Sequence, residues 1–383
     1  MGARVYNGLG SAMGALVRVP AARWVLCVPR AVIGSPQEVI TPKMTAHMTS
    51  TAYMDRAIEL ATSARLHTSP NPWVGCVLVT SDGQVFEGAT EPPGSRHAEI
   101  VALDAAHASG ADTHGATVFT TLEPCNHQGR TGACTEALIA AGVTHIVSAI
   151  ADPDPRVSGQ GFTALRAANI DVQVGSCAEQ VREQLHAYIH HRTTGRPFVV
   201  LKLAMTLDGR TAAADGSSQW ITGEQARIEA HRLRAESDAI VVGAQTVRSD
   251  DPSLTTRLVH GPSPRRIVLG SVPVDAKVQP CTEWKAGLPE LLDLLGQENV
   301  LQVMVEGGAS VAASFHRENL VDRYVLFVAP AFMGGDDGVP LFRGPGAATM
   351  QELWRANIVS TRLLGEDIEI VIDKTPQKFK ETV

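Results

Sequence analysis

The chain has 383 residues, 44% of them hydrophobic and 19% charged, with a formal net charge of −7 and an isoelectric point near 6.0. That length suggests about two domains, each able to bury a core, and the composition excludes a chain disordered throughout. The acidic balance sets up no basic field, so nucleic acid is not expected as a main partner.

The six cysteines, Cys27, Cys76, Cys125, Cys134, Cys177 and Cys281, are scattered. They do not form the dense framework of a small secreted domain, and a reducing, cytoplasmic setting is expected. Residues 1–43 hold Arg4, Arg18, Arg23, Arg30 and Lys43 but a single acid, Glu38. Their apolar stretch between Ala12 and Ile33 is cut by Arg18, Pro20, Arg23 and Pro29. It is too interrupted for a spanning helix of about 20 residues, so no membrane partner is expected. An Arg-containing, acid-poor leader is one reading. The preferred one is an upstream extension, with the start at Met44 or Met48, because a continuous amphipathic pattern and a clear cleavage site are both lacking. Residues 1–50 are therefore expected to be poorly structured.

Folded pattern begins near Thr51. Helical spacing of Met54, Ala57, Ile58 and Ala61 predicts a helix over Tyr53–Arg65. Trp73–Thr80 reads as a strand turned back by Ser81-Asp82-Gly83 into Gln84–Glu87. Then come a helix at His97–Ala108, a strand at Thr117–Thr121, a helix at Thr135–Ala141 and a strand at His145–Ile150. A helix at Phe162–Ala168, a strand at Asp171–Val174 and a helical connector around Ala178–Thr193 complete the first series. The second has strands at Pro197–Met205, Ala239–Gly243, Arg266–Leu269, Gln302–Glu306, Tyr324–Val328 and Asp367–Asp373. Its helices are Gly223–Glu236, Leu288–Leu295 and Ala309–Glu318. Strands alternating with helices indicate α/β layered sheets. The expected domains are 51–193 and 194–375, with a tail at 376–383.

His97-Ala98-Glu99, Glu123-Pro124-Cys125 and Cys134 supply an imidazole, two thiolates and a carboxylate not needed as a ligand. A catalytic zinc site requires three protein ligands, an open position for water and a nearby proton carrier. The signature of zinc deaminases, H-x-E followed by P-C-x-x-C, is matched except that eight residues separate the cysteines. The metal lowers the pKa of water from 15.7 to about 7, and Glu99 is expected to carry its proton to a ring nitrogen and then to departing ammonia. Singly, each residue has a plainer reading: a helix cap, a dipole-complementing acid or buried small hydrophobes. A structural zinc would want a fourth protein ligand, which the His-Ala-Glu order does not favour.

With Thr121-Leu122-Glu123-Pro124-Cys125, His127-x-Gly129-Arg130-Thr131 and Pro70-Asn71-Pro72-Trp73-Val74-Gly75, the chain resembles the bifunctional deaminase–reductases of riboflavin biosynthesis. The wide cysteine spacing is that family's pattern, and the resemblance spans about residues 51–373. It implies a cytidine-deaminase-like three-layer α/β/α domain followed by a dihydrofolate-reductase-like α/β domain. His97, Cys125 and Cys134 would bind one Zn2+, Glu99 would be the shuttle and Asn71 would hold the pyrimidine. The implied substrate is 2,5-diamino-6-(5-phosphoribosylamino)pyrimidin-4-one, a small molecule. We add that Arg130, His127 and Thr131 would place its phosphoribosyl arm.

No G-x-G-x-x-G follows a strand in the second half, so the ordinary dinucleotide fingerprint is absent. Glu306-Gly307-Gly308-Ala309-Ser310 stands where a strand passes into a helix, a corner suited to phosphate and equally to a plain tight turn. The runs Lys202–Arg210, Ser218–Thr222, His231–Arg234, Asp250–Thr255 and Val305–Gly308 share the family resemblance. By that resemblance NADPH would touch Ala204, Trp220, Thr246, Asp250, Ser271, Gly308, Ala309, Ser310, Val311, Ala312, Ala313 and Ser314. Ser218, Arg234, Leu254, Arg257 and Glu306 would hold the substrate while its ribosyl group is reduced to ribityl. Lys202 and Glu306 are the candidates for protonation and orientation, with a structural ion pair as the alternative. Arg234 and Arg257 suit a phosphate. Only one helix fits between residues 269 and 302, which leaves Pro273–Trp284, next to Ser271, as a compact replacement for a strand and helix. A homo-oligomer is expected. The competing readings are a tRNA or nucleoside deaminase and a non-catalytic zinc-stabilised binding protein.

Overall fold

The computed structural model describes residues 49–127 and 132–374. The expectations for residues 1–43, for Arg130 and Thr131 and for the tail lie outside these. The first series comprises α1 (Ser50–Ala64), β1 (Gly75–Val79), β2 (Val85–Ala89), α2 (Ala98–Ser109), β3 (Thr117–Leu122), α3 (Cys134–Ala140), β4 (His145–Ile150), α4 (Gln160–Ala167), β5 (Asp171–Val174), α5 (Ala178–Gln184) and α6 (His186–Thr194). Its sheet has the order β2-β1-β3-β4-β5. β1 runs antiparallel to β2 and β3, whereas β3, β4 and β5 are parallel. Small residues let the helices sit close on this sheet. A Cβ at Gly75 would lie 1.8 Å from the carbonyl oxygen of Ala57 in α1, and one at Gly88 would lie 2.1 Å from that of Ala98 in α2. Side chains at either position would push a helix off the sheet.

The second series runs β6 (Phe198–Thr206), β7 (Arg210–Ala212), α7 (Glu224–Ala235), β8 (Ala239–Gly243), α8 (Ala244–Asp250), β9 (Arg265–Leu269), β10 (Thr282–Trp284), α9 (Leu288–Gln297), β11 (Gln302–Val305), α10 (Ala309–Arg317), β12 (Arg323–Ala329), β13 (Val339–Pro340), β14 (Ala356–Leu364) and β15 (Asp367–Lys374). Its eight-stranded sheet is ordered β10-β9-β8-β11-β6-β12-β15-β14. The six strands from β10 to β12 are parallel, while β15 and β14 are antiparallel.

Central strands buried on both faces read as continuous apolar runs, and the core divides accordingly. Val199, Leu201, Val303 and Val305 pack with Leu291, Leu295 and Phe315 of α9 and α10. Val200, Val242, Met304 and Phe327 face α7 and join the core of the first series.

The predicted α/β alternation holds throughout. Between β9 and β11 the strand β10 is present, only three residues long and parallel to β9, so Pro273–Trp284 supplies a short edge strand without its helix. β14 had no buried stripe to announce it, because its residues are nearly all exposed.

Candidate active sites

His97 caps the start of α2, placing its ring at the sheet end where β3 runs into Glu123-Pro124-Cys125. Cys134 opens α3. His97 Nδ1 lies 3.5 Å from Cys125 Sγ and 3.4 Å from Cys134 Sγ, and the three donor atoms lie within 4.8 Å of one another. Zn–S bonds of about 2.3 Å and Zn–N bonds of about 2.0 Å make the N···S edge of a tetrahedron about 3.5 Å, so the observed spacing and the donor chemistry both fit zinc.

The surroundings favour thiolate. The Cys134 amide donates to Cys125 Sγ at 3.4 Å, and Cys125 is drawn toward ionisation by the Cys134 thiol and then His97. The Cys125 thiolate first, then burial, hold the Cys134 proton on, until a metal displaces it. The partnership with Cys125 raises the His97 pKa.

Glu99 lies in the first turn of α2, 4% exposed, outside the ligand triad yet close enough to Cys125, His97 and Cys134 to feel their charges and dipoles. Burial first, then the Cys125 charge, push its pKa up to about 7. A carboxyl so placed holds or releases a proton near neutral pH, as a proton carrier must. Asn71 is half-buried in the turn before β1, its amide bonded to Thr68 O at 2.8 Å. His127 is exposed.

One residue of this site was missed by sequence reasoning. The Glu123 carboxylate accepts backbone amides from Asp152, Gly159, Gly161 and Phe162 at 3.0, 2.9, 2.8 and 3.2 Å. It thereby ties the segment after β4 to the turn carrying Cys125. A Cβ at Gly161 would lie 2.1 Å from Pro124 O. Groups outside the metal ligands orient them, and their loss commonly lowers metal affinity or activity about 10–100-fold. Glu123→Gln and Gly161→Ala are each expected to weaken zinc retention and ammonia release by that factor, measured by chelator competition and rate. Wild-type zinc affinity in both would contradict this role.

In the second series, Lys202 of β6, Glu306 after β11 and His231 and Arg234 of α7 form a charged cluster. Arg234 Nη2 contacts Glu306 at 2.6 Å, both side chains largely buried, and Arg234 Nη1 reaches Thr255 O at 3.3 Å. Arg234, read from sequence as a phosphate fork, thus spends its fork on Glu306. Lys202 Nζ stands 5.3 Å from the Phe327 ring centre; burial lowers its pKa, against the pull of Glu306. Burial opposes ionisation of Glu306, yet Arg234 and Lys202 hold it below the usual carboxylate range. His231 belongs to the cluster too; the run His231–Arg234 shares the family resemblance, but nothing in the sequence assigns His231 a role. Its Nδ1 accepts the Arg257 amide at 3.0 Å, and burial followed by Arg234 and Arg257 pushes its pKa down to about 4. Arg257 is exposed, with its guanidinium on Ser253 and Thr255 hydroxyls at 3.1 and 2.7 Å. Leu254 is 3% exposed and held at φ 53°, a strained conformation for leucine. Ser218 is half-buried.

The cofactor residues divide. Gly308 opens α10 without a side-chain cap, and its Cβ position lies 3.4 Å from Thr246 Oγ1, so these two meet at one corner. Ala309, Ser310 and Val311 supply the first-turn amides there, and Ala204 is half-buried on the same strand face as Lys202. Ala312 and Ala313 have both side chains buried in the core, and the Ala312 amide bonds Gly308 O. Ser314 bonds Ser310 O within the helix. Asp250 is exposed at the end of α8, and Ser271 is exposed, its carbonyl accepting from Arg248 Nη1 at 3.2 Å. Trp220 is 71% exposed and lines an open cleft of about 600 Å³ whose walls include none of the other residues assigned to the cofactor.

A His/Cys/Cys cluster beside a buried carboxylate, joined to a mostly parallel sheet with a glycine corner and a charged cluster, defines a two-domain deaminase and reductase. Residues 48–150 match the cytidine and deoxycytidylate deaminase zinc-binding region, and residues 197–370 match the RibD C-terminal domain. The chain is 38% identical over 355 residues to riboflavin biosynthesis protein RibD of Chlamydia muridarum, covering 83% of this chain and 94% of that protein. Acinetobacter baumannii RibD superposes with TM-score 0.79 at 35% identity, over 85% of this chain and 98% of that one. A diaminohydroxyphosphoribosylaminopyrimidine deaminase/5-amino-6-(5-phosphoribosylamino)uracil reductase of Thermotoga maritima does so with TM-score 0.77 at 31% identity, over 85% and 98%. The chain belongs to the RibD family of bifunctional deaminase–reductases of riboflavin biosynthesis. Among the described residues no helix is long and apolar enough to cross a membrane.

Proposed function

We propose that residues 51–193 deaminate 2,5-diamino-6-(5-phosphoribosylamino)pyrimidin-4-one and that residues 194–375 reduce the product, 5-amino-6-(5-phosphoribosylamino)uracil, with NADPH. The observation that carries the reading is the buried Glu99 beside the His97–Cys125–Cys134 triad. These three residues would hold Zn2+, which when bound makes water a nucleophile near neutral pH. Glu99 accepts the first water proton at its carboxylate and passes it to the ring nitrogen; it then takes the proton of the hydroxyl added to the ring and delivers it to the amine, which leaves as ammonia while the carbonyl forms. Asn71 orients the ring.

In the reductase, NADPH when bound supplies a hydride, and the Gly308–Thr246 corner with the amides of Ala309, Ser310 and Val311 suits its phosphates. Lys202 donates a proton as the ribose opens, and Glu306 keeps Lys202 charged and oriented. With Arg234 spent on Glu306, the sum of Lys202, Arg234, Arg257 and Glu306 is still cationic and suits the substrate phosphate. The dephosphorylated riboside is therefore expected to show a reductase KM raised about tenfold or more, since a charge-assisted hydrogen bond contributes about 1.5–3 kcal/mol. An unchanged KM would refute the assignment.

The five described cysteines are all free, in keeping with a reducing cytoplasmic compartment. A homo-oligomer is also proposed: β14 is a nine-residue edge strand exposing Ile358, Val359 and Leu363 at 66%, 46% and 73%. Such an edge invites pairing with a second copy. Ile358→Lys is expected to shift the mass seen by light scattering to the monomer; a monomeric parent protein would overturn the proposal.

A further inference from the structure

β11 and β6 run parallel with Val305 beside Leu201, so the next residues, Glu306 and Lys202, stand side by side where the strands end. Lys202 follows Val200 by two positions and shares its face of the sheet, which α7 covers through Ala226, Ala230 and Leu233. His231 and Arg234 lie on one face of α7, being three positions apart, and both meet this corner. Arg234 closes on Glu306 through Nε at 3.1 Å and Nη2 at 2.6 Å. His231 is 6% exposed and feels the charges of Arg234, Arg257, Glu306 and Lys202.

The imidazole of His231 is committed on one side only. A backbone N–H can only donate, so the Arg257 amide at 3.0 Å fixes Nδ1 as an acceptor. Burial first, then Arg234 and Arg257, push the His231 pKa down to about 4. A neutral ring with an accepting Nδ1 carries its proton on Nε2. Among the described residues Nε2 has no hydrogen-bond partner. It is also not one of the unpartnered side-chain atoms sealed from solvent, so its N–H opens to accessible space. Lys202 Nζ, over the Phe327 ring, is open in the same way and has no hydrogen-bond partner either. One corner of the reductase thus presents two unspent donors, one charged and one neutral.

We infer that His231 is a further substrate-contacting residue of the reductase, donating from Nε2 to the ribose oxygen released from C1′. The assignment rests on the reductase reading above. As the ribose opens, its C1′–O bond breaks and the lone pair of the attached nitrogen forms C1′=N. The oxygen takes the Lys202 proton, and the hydride then adds to C1′ and returns the electron pair to nitrogen. Negative charge gathers on the departing oxygen while its proton is in transit. A neutral imidazole N–H aimed at that oxygen stabilises the charge without competing with Lys202 as the acid. The other ring nitrogen pins the segment bearing Leu254 and Arg257, so Nδ1 serves substrate binding and Nε2 serves turnover.

His231→Asn and His231→Gln separate the two nitrogens. Asparagine keeps an acceptor where Nδ1 stands and has nothing at Nε2. Glutamine puts an N–H where Nε2 stands and leaves the Arg257 amide without its acceptor. The zinc-loaded full chain is assayed with 5-amino-6-(5-phosphoribosylamino)uracil and NADPH. His231→Asn is expected to lower kcat for reduction about 10²-fold, the loss seen when one donor to a developing oxyanion is removed, with KM near the parent value. His231→Gln is expected to keep kcat within about tenfold of the parent and to raise KM about fivefold, the worth of one hydrogen bond. Hydrogen exchange at the Arg257 amide should stay at the parent rate in His231→Asn and quicken in His231→Gln. Ammonia release should be unchanged in both, which also shows that they fold. Parent-like kcat in His231→Asn would overturn the inference and leave the ring as a pin for the Arg257 segment, with the reductase reading standing. Equal losses of kcat in the two variants, or a loss in His231→Asn accompanied by faster Arg257 exchange, would overturn it as well. A parent chain that consumes no NADPH would remove the reductase reading and this contact with it.

Discussion

Glu99→Gln is expected to slow ammonia release by about 10²–10⁴-fold, the range for loss of a general acid–base group, while zinc content and reduction of already deaminated substrate stay at the parent level. The substitution keeps the shape of the side chain and removes only its ability to carry a proton. Because Glu99 lies outside the set of three donor atoms, metal retention should survive. The altered charge is buried by α2 of the first sheet, whereas Lys202, Arg234 and Glu306 belong to the second. Elemental analysis, an ammonia assay and a separate NADPH assay check the three parts. Retained deamination would remove Glu99 as the shuttle, and loss of reduction in a folded variant would contradict the division of labour.

Lys202→Met should have the mirror effect, slowing NADPH oxidation by about 10²–10⁴-fold with ammonia release intact. Methionine keeps most of the apolar stem against Phe327 while deleting the ammonium, so packing is nearly conserved. If Lys202 were only the partner of a structural ion pair, kcat would change little and only stability would fall. If it donates a proton, the alkaline limb of the pH profile for reduction should vanish with it. Burial lowers the Lys202 pKa from the ordinary lysine value, so that limb lies at lower pH than for an exposed lysine, and the ammonium is lost as pH rises through it. A reduction rate within twofold of the parent would contradict the role.

The deaminase half was the more legible because its chemistry is local in sequence. His97 and Glu99 share one helical turn, Cys125 and Cys134 bracket one loop, and β4 and β5 coincide with the residues predicted for them. Glu123 was not legible, since its four amide donors come from residues 29 to 39 positions later and no local pattern marks them. In the reductase half, Arg234 suits a phosphate in the sequence, and its pairing with Glu306 is not legible there because the two lie 72 residues apart. Ala312 and Ala313 were assigned to the cofactor with the whole Gly308–Ser314 run, although helical periodicity sends them to the core once Phe315 is buried. The edge strand β14 escaped because sequence periodicity detects burial, and that strand has almost none.

The most direct measurement is to incubate the full chain, Zn2+ and NADPH with 2,5-diamino-6-(5-phosphoribosylamino)pyrimidin-4-one, following ammonia and the fall in cofactor absorbance together. One ammonia and one NADPH per substrate are expected, with ammonia appearing first and both ceasing when zinc is chelated. Adding the deaminated intermediate should then restore NADPH oxidation alone. NADPH consumption without ammonia release, or ammonia release undiminished by zinc removal, would contradict the two-station account.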